Sequence, residues 1–137
     1  MSVKKNTHEL PLQLTRAEEE VMQILWEMEK GLVHDLLGKF PDPKPAYNTV
    51  STIIRILEQK GFVGHKAYGR THEYFPVISK ADYTKSSFSG FMTNYFSNSY
   101  KSLTSFFAAE GKLSLKELEE IQKTINEEIR KQKEDNP

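Results

Sequence analysis

The sequence predicts a mainly α fold with one small β-hairpin, and three observations predict it. Between Arg16 and Lys60, apolar residues recur at helical spacing in three stretches, broken by Gly31 and by Pro41, Pro43 and Pro45. Between Phe62 and Val77, β-branched and aromatic residues flank a glycine-containing turn. From Ser79 onward the spacing is helical again.

Thr15-Arg-Ala-Glu18 has the form of a capping box, so the first helix is expected over about 16–30, with Ala17, Val21, Ile24, Leu25 and Met28 on its apolar stripe and Gly31 ending it. Trp26 is expected at the edge of that helix. Val33, Leu36, Leu37 and Phe40 suggest a shorter second helix. Tyr47 to Lys60 reads as a third, closed by Gly61. Three helices followed by a two-stranded ribbon, all within about 65 residues, is the element order of a winged helix-turn-helix. Beyond it, Ser79 can cap a helix over 80–97, Asn98 or Ser99 can open a short one through Ala109, and Ser114-Leu-Lys-Glu117 is a second capping box. The last helix places Leu115, Leu118, Ile121, Ile125 and Ile129 on one stripe, and fraying is expected from Lys133. The expected division is a winged-helix unit over 1–78 and a helical dimerisation region over 79–137. Residues 1–14 carry no apolar run of signal-peptide length, and nowhere do 18 apolar residues follow one another.

The 137 residues contain no cysteine, which excludes disulfides and thiolate metal sites and fits a reducing, cytoplasmic setting. Nineteen basic and nineteen acidic residues cancel. Their distribution is more informative than their sum. Glu18 to Asp42 holds seven acids and two lysines, a net of −5, whereas Lys44 to Arg70 holds five bases and one acid, a net of +4. A binding face is therefore expected in the second block.

On the third helix, Val50, Ile53, Ile54 and Leu57 fall on one side, while Asn48, Ser51, Thr52, Arg55 and Gln59 fall on the other. Short polar side chains almost free of acid suit a helix lying in the major groove of DNA. Arg55 is the candidate for bidentate contact with guanine, Asn48 and Gln59 for adenine or phosphate, and Ser51 and Thr52 for a base edge or the backbone. Lys44, Tyr47 and Lys60 lie near the helix ends and are candidates for positioning on phosphates. Lys66, Tyr68 and Arg70 at the hairpin tip are placed to touch the flanking backbone or a minor groove. Two other classes stay open. A winged helix can bind protein instead of DNA. A hairpin turning at Tyr68 and Gly69 would also set His65 opposite His72, a pair that could hold a metal with Glu73 or Asp35 in a metal-responsive regulator. No paired carboxylates or nucleophile with a base suggest an enzyme.

The strings Leu14-Thr-Arg-Ala-Glu-Glu-Glu-Val-Met-Gln-Ile-Leu-Trp26, Tyr47-Asn-Thr-Val-Ser-Thr-Ile-Ile-Arg-Ile-Leu-Glu-Gln-Lys-Gly-Phe-Val63 and Tyr74-Phe-Pro-Val77 resemble the penicillinase repressor family, the BlaI/MecI/CopY group. The likeness runs from about Leu14 to about Arg130. It implies a homodimeric repressor on a palindromic operator, controlling a β-lactamase or related resistance operon and needing no cofactor. It also implies inactivation by cleavage in the C-terminal region, triggered by a membrane sensor metalloprotease, with no membrane association of the repressor itself. Staphylococcal members are cut at an Asn-Phe bond; here the matching string is Ser102-Leu-Thr-Ser-Phe-Phe107, with Phe106 in place of the asparagine, so a cut is expected near Phe106 and Phe107. Copper-responsive relatives carry C-terminal cysteines, which this chain lacks. For the dimer contact the candidates are the last-helix stripe together with Phe91, Tyr95, Leu103, Phe106 and Phe107.

Overall fold

The computed structural model describes residues 13–136. Helix α1 spans Arg16–Met28. Its start is the expected capping box: the Thr15 hydroxyl accepts from the Glu18 N–H at 3.1 Å, and the Glu18 carboxylate accepts from the Thr15 N–H at 2.9 Å. Val21, Met22 and Leu25 are its buried face; Ala17, expected on that stripe, is exposed. Trp26 is half-buried against Tyr83, with ring centroids 5.8 Å apart.

The end of α1 differs from expectation. Glu29, not Gly31, takes the left-handed conformation at the helix end, with φ 73°. Gly31 has a different role, exchanging two backbone hydrogen bonds with Tyr74 at 2.9 and 2.8 Å. A Cβ at Gly31 would lie 2.7 Å from the Met28 methyl. A larger residue there would have to displace the flexible end of Met28, so Gly31 serves close packing beside β2 rather than a helix cap.

Helix α2, Val33–Lys39, buries Val33 and Leu36, and its Asp35 carboxylate accepts from the Leu32 N–H at 3.0 Å. Helix α3, Tyr47–Gln59, follows the proline cluster and packs on both α1 and α2 through Val50, Ile54 and Leu57. Gly61, at φ 88°, turns the chain out of it. Each such side chain removed from water contributes about 1.5–3 kcal/mol before entropy is subtracted, so this helical triangle carries most of the unit's cohesion.

Strands β1, Val63–Tyr68, and β2, Thr71–Pro76, pair antiparallel with Tyr68 opposite Thr71. The turn is therefore Gly69-Arg70, one residue later than expected. Positive φ occurs at Gly69 alone of the two, the pattern of a II′ hairpin turn. The shift moves the pairing: His65 faces Tyr74 and Ala67 faces His72. The two histidines are thus diagonal neighbours on one face, their rings stacked at 4.1 Å. Glu73 is paired with Lys66 on the opposite face of the ribbon. Among the described residues no group of three His, Asp or Glu side chains could hold a metal.

Two compact units divide at Phe88 and Ser89. Helix α4, Lys80–Phe96, opens with the Ser79 hydroxyl accepting from the Asp82 N–H at 3.0 Å. In the first unit Tyr83 is buried; its hydroxyl accepts from the Leu14 N–H at 3.3 Å and donates to Glu19 at 3.2 Å. Trp26 locks the same corner by donating to the Ile78 carbonyl at 2.9 Å.

In the second unit Met92 is buried, and α5, Tyr100–Ala109, starts with the Ser99 hydroxyl accepting from the Ser102 N–H. Helix α6, Leu115–Asp135, carries the second capping box: Ser114 accepts from the Glu117 N–H at 3.1 Å and Glu117 accepts from the Ser114 N–H at 2.9 Å. Its last turns stay helical past Lys133, where fraying was expected.

Candidate nucleic-acid interface

Helix α3 presents Asn48, Thr52, Arg55 and Gln59 to solvent. Ser51 departs from that set. It lies next to Ile54 around the helix, is 9% exposed, and its hydroxyl accepts from Arg55 Nη2 at 3.0 Å. Ser51 therefore orients an arginine at the rim of the core. Tyr47, 45% exposed at the start of α3, stands with its ring centroid 5.4 Å from that of His34 on α2.

The cations expected beside the helix divide into tethered and exposed ones. Lys60 reaches across to α1, donating to both Glu18 carboxylate oxygens at 2.7 and 2.9 Å. Burial alone would raise the Glu18 pKa, but the Lys60 hydrogen bond and charge, with the Thr15 backbone and hydroxyl, outweigh it and hold the carboxyl below its ordinary value. This pair is a strut between two helices, a geometry different from the phosphate contact expected of Lys60. Lys44 donates to the Phe40 carbonyl at 2.6 Å and the Gly38 carbonyl at 3.3 Å, a cation at the C-terminal end of α2 where the helix dipole favours it. Lys66 and Arg70 are exposed on the hairpin, and the Lys66 ammonium sits 5.2 Å from the centre of the Tyr68 ring.

Between α2, α3 and the hairpin lies a concavity of about 450 Å³. Its wall includes Arg55 and Tyr47 from α3, His34 from α2, and Arg70, Thr71 and His72 from the hairpin, with Tyr74 and Ser51 also lining it. Burial raises the Tyr74 pKa, helped by Glu58 and Tyr47 and opposed by Arg55, so its hydroxyl stays a neutral donor. The nearby Glu58 carboxylate is held by His65 Nδ1 at 2.5 Å. Among the described residues neither Arg55 nor Arg70 has a carboxylate partner. Sequence reading passed over His34 and His72 as part of this face. Only the hairpin register and the packing of α2 bring them there, and no linear spacing carries that information.

The C-terminal candidates lie in the second unit. Tyr95, Phe106, Leu115, Ile125 and Ile129 are exposed, as is Phe91; Leu103, Phe107, Leu118 and Ile121 are half-buried. A second concavity of about 390 Å³ runs along α6, lined by Leu113, Ile121 and Ile125 among others. The Phe106–Phe107 bond lies inside α5.

A three-helix core with a two-stranded ribbon after its third helix is a winged helix-turn-helix, a class of DNA-binding regulator. The sequence profile of the family described as Penicillinase repressor matches residues 14–127. The chain belongs to that family, and is accordingly a transcriptional repressor and not an enzyme. It is 24% identical over 115 residues to the methicillin resistance regulatory protein MecI of Staphylococcus aureus (strain N315), covering 83% of this chain and 94% of that one. To the penicillinase repressor of Bacillus licheniformis it is 24% identical over 123 residues, covering 89% and 96%. The solution structure of the DNA binding domain of the repressor BlaI aligns at 27% identity with a TM-score of 0.47, over 54% of this chain and 90% of that one. The Bacillus licheniformis BlaI monomeric form in complex with the blaP half-operator aligns at 27% identity with a TM-score of 0.45, over 54% and 90%. Among the described residues no helix is long and apolar enough to cross a membrane.

Proposed function

We propose that this repressor binds a palindromic operator as a homodimer in the cytoplasm and controls a β-lactamase or related resistance operon. The family match over residues 14–127 carries the reading. Helix α3 lies in the major groove, with Asn48 and Thr52 reading bases from its exposed face and Gln59, at its C-terminal end, meeting a phosphate. Lys66, Tyr68 and Arg70 on the hairpin touch the flanking backbone, and Tyr47 and Lys44 sit at the entry to α3 where a phosphate passes.

Two winged helices on one duplex bind far more tightly than one, because the second half-site is engaged at high effective concentration. The exposed stripe of α6, with Phe91, Tyr95, Leu103, Phe106 and Phe107, supplies the dimer contact. A membrane sensor metalloprotease relieves repression by triggering a cut near Phe106 and Phe107. Because that bond lies in helical backbone, α5 unwinds before a protease takes it in extended form.

Fluorescence anisotropy with duplexes from the gene's own promoter tests the reading. Saturable, salt-dependent binding with two chains per duplex is expected; weak binding, equal on all sequences and with one chain per site, would defeat it.

A further inference from the structure

The sequence suggests Arg55 as a reader of guanine, yet its surroundings suit another ligand. Its guanidinium is hydrogen-bonded back to Ser51 and lines the concavity that α3 shares with the hairpin. Position 55 is in the C-terminal half of α3, whereas base contacts in helix-turn-helix proteins come mainly from the N-terminal part of the recognition helix. Arg70 lines the same concavity from the hairpin turn, and His34 and His72 add ring N–H donors from two further elements. Two guanidinium forks without carboxylate partners among the described residues, beside imidazoles and hydroxyls that can donate, make a pocket rich in donors with no carboxylate in its lining. A tetrahedral oxyanion is the ligand with acceptors on every side, and guanidinium grips phosphate in bidentate fashion.

We propose that this concavity is a phosphate site, in which Arg55 and Arg70 close from opposite walls on one backbone phosphodiester of each operator half-site, with His34 and His72 completing the grip. The assignment rests on the DNA-binding reading. It makes the cleft between α3 and the hairpin a fixed register point: one phosphate seated there sets how far the N-terminal half of α3 enters the groove. Arg55 is then a positioning residue, and its loss weakens binding to all sequences alike.

The test uses the full chain and a duplex that it enriches from a randomised pool. Each backbone phosphate is replaced in turn by a neutral methylphosphonate. For the wild-type chain one position per half-site is expected to cost about tenfold or more in affinity. In Arg55→Gln/Arg70→Gln that position should become silent while the others keep their effects; should that variant bind too weakly to profile, Arg70→Gln alone carries the same expectation. Both arginines are exposed, so circular dichroism should report an unchanged fold. Wild-type losses at every position in these variants would overturn the site and leave DNA binding standing. If no duplex is enriched, the DNA reading falls, and inorganic phosphate becomes the probe. Saturable shifts of the His34 and His72 ring protons, lost in Arg55→Gln/Arg70→Gln, would keep the site as one for free phosphate, and no shifts would remove it.

Discussion

Between Leu14 and Tyr83 the chain buries a continuous apolar core, whereas from Ser89 onward Met92 alone is buried among the described residues. Leu115, Ile125 and Ile129 face solvent in a unit that is itself strongly helical. Each region has a helix opened by a capping box, and the 21-residue α6 is longer than any helix among α1, α2 and α3, so local helix formation does not account for the difference. The difference lies in where the apolar faces go: the first unit covers its own, and the second leaves a stripe that a second copy can cover. Small units with so little internal core usually draw stability from assembly.

The largest effect should come from placing charge on that stripe. Ile121→Glu combined with Ile125→Glu is expected to give monomers in analytical ultracentrifugation and to lower operator affinity by about 10²–10⁴-fold, the gain that linking two sites confers. Melting of the winged helix should be unaffected. Dimers of full affinity would remove the contrast between the units.

Phe62, fully buried beside Tyr83 at 5.7 Å between ring centroids, is the complementary case. Phe62→Ala should cost about 3–5 kcal/mol in urea unfolding, while Ile129→Ala, truncating an exposed residue, should leave that transition in place.

The Glu18–Lys60 strut should be worth less and should depend on pH. Glu18→Gln is expected to cost about 1–3 kcal/mol at pH 7, since it leaves the half-buried Lys60 ammonium with a weaker partner. The folded carboxyl has a lowered pKa, so its stabilisation is full above the ordinary value of 4.5 and is lost as pH falls through the lower folded value. Urea titrations from pH 6 to pH 3 should therefore show the wild type losing more stability than Glu18→Gln. Parallel curves would mean that the pair stabilises nothing.

The smallest effects belong to the two capping boxes. Thr15→Ala and Ser114→Ala should each cost about 1 kcal/mol. The Thr15 loss should appear in unfolding of the winged helix at any protein concentration, and the Ser114 loss should appear in hydrogen exchange of the first turn of α6.

Most of the fold was legible because it rests on local signals: the capping boxes at Thr15 and Ser114, the prolines before α3, and Gly61 after it all act within a few residues. What failed depended on contacts distant in sequence. Gly31 looked like a helix cap and proved to be the point where the chain pairs with Tyr74, forty-three positions later. The hairpin turns at Gly69-Arg70, one residue beyond the turn that the sequence suggests, enough to change which side chains face each other. On the candidate interface, the exposure of Asn48, Thr52 and Gln59 follows from helical periodicity alone. The tethering of Lys60 by Glu18 could not, because a cation's partner on another helix leaves no trace in spacing.

The proposed function depends on the exposed N-terminal half of α3 as a reading surface, and the sequence preference of Asn48→Ala/Thr52→Ala, selected from a randomised duplex pool, probes it most directly. The variant should keep salt-dependent binding to duplex DNA but enrich no consensus, or one degenerate at one or two positions per half-site. Enrichment of the wild-type consensus at wild-type stringency would show that the bases are read elsewhere.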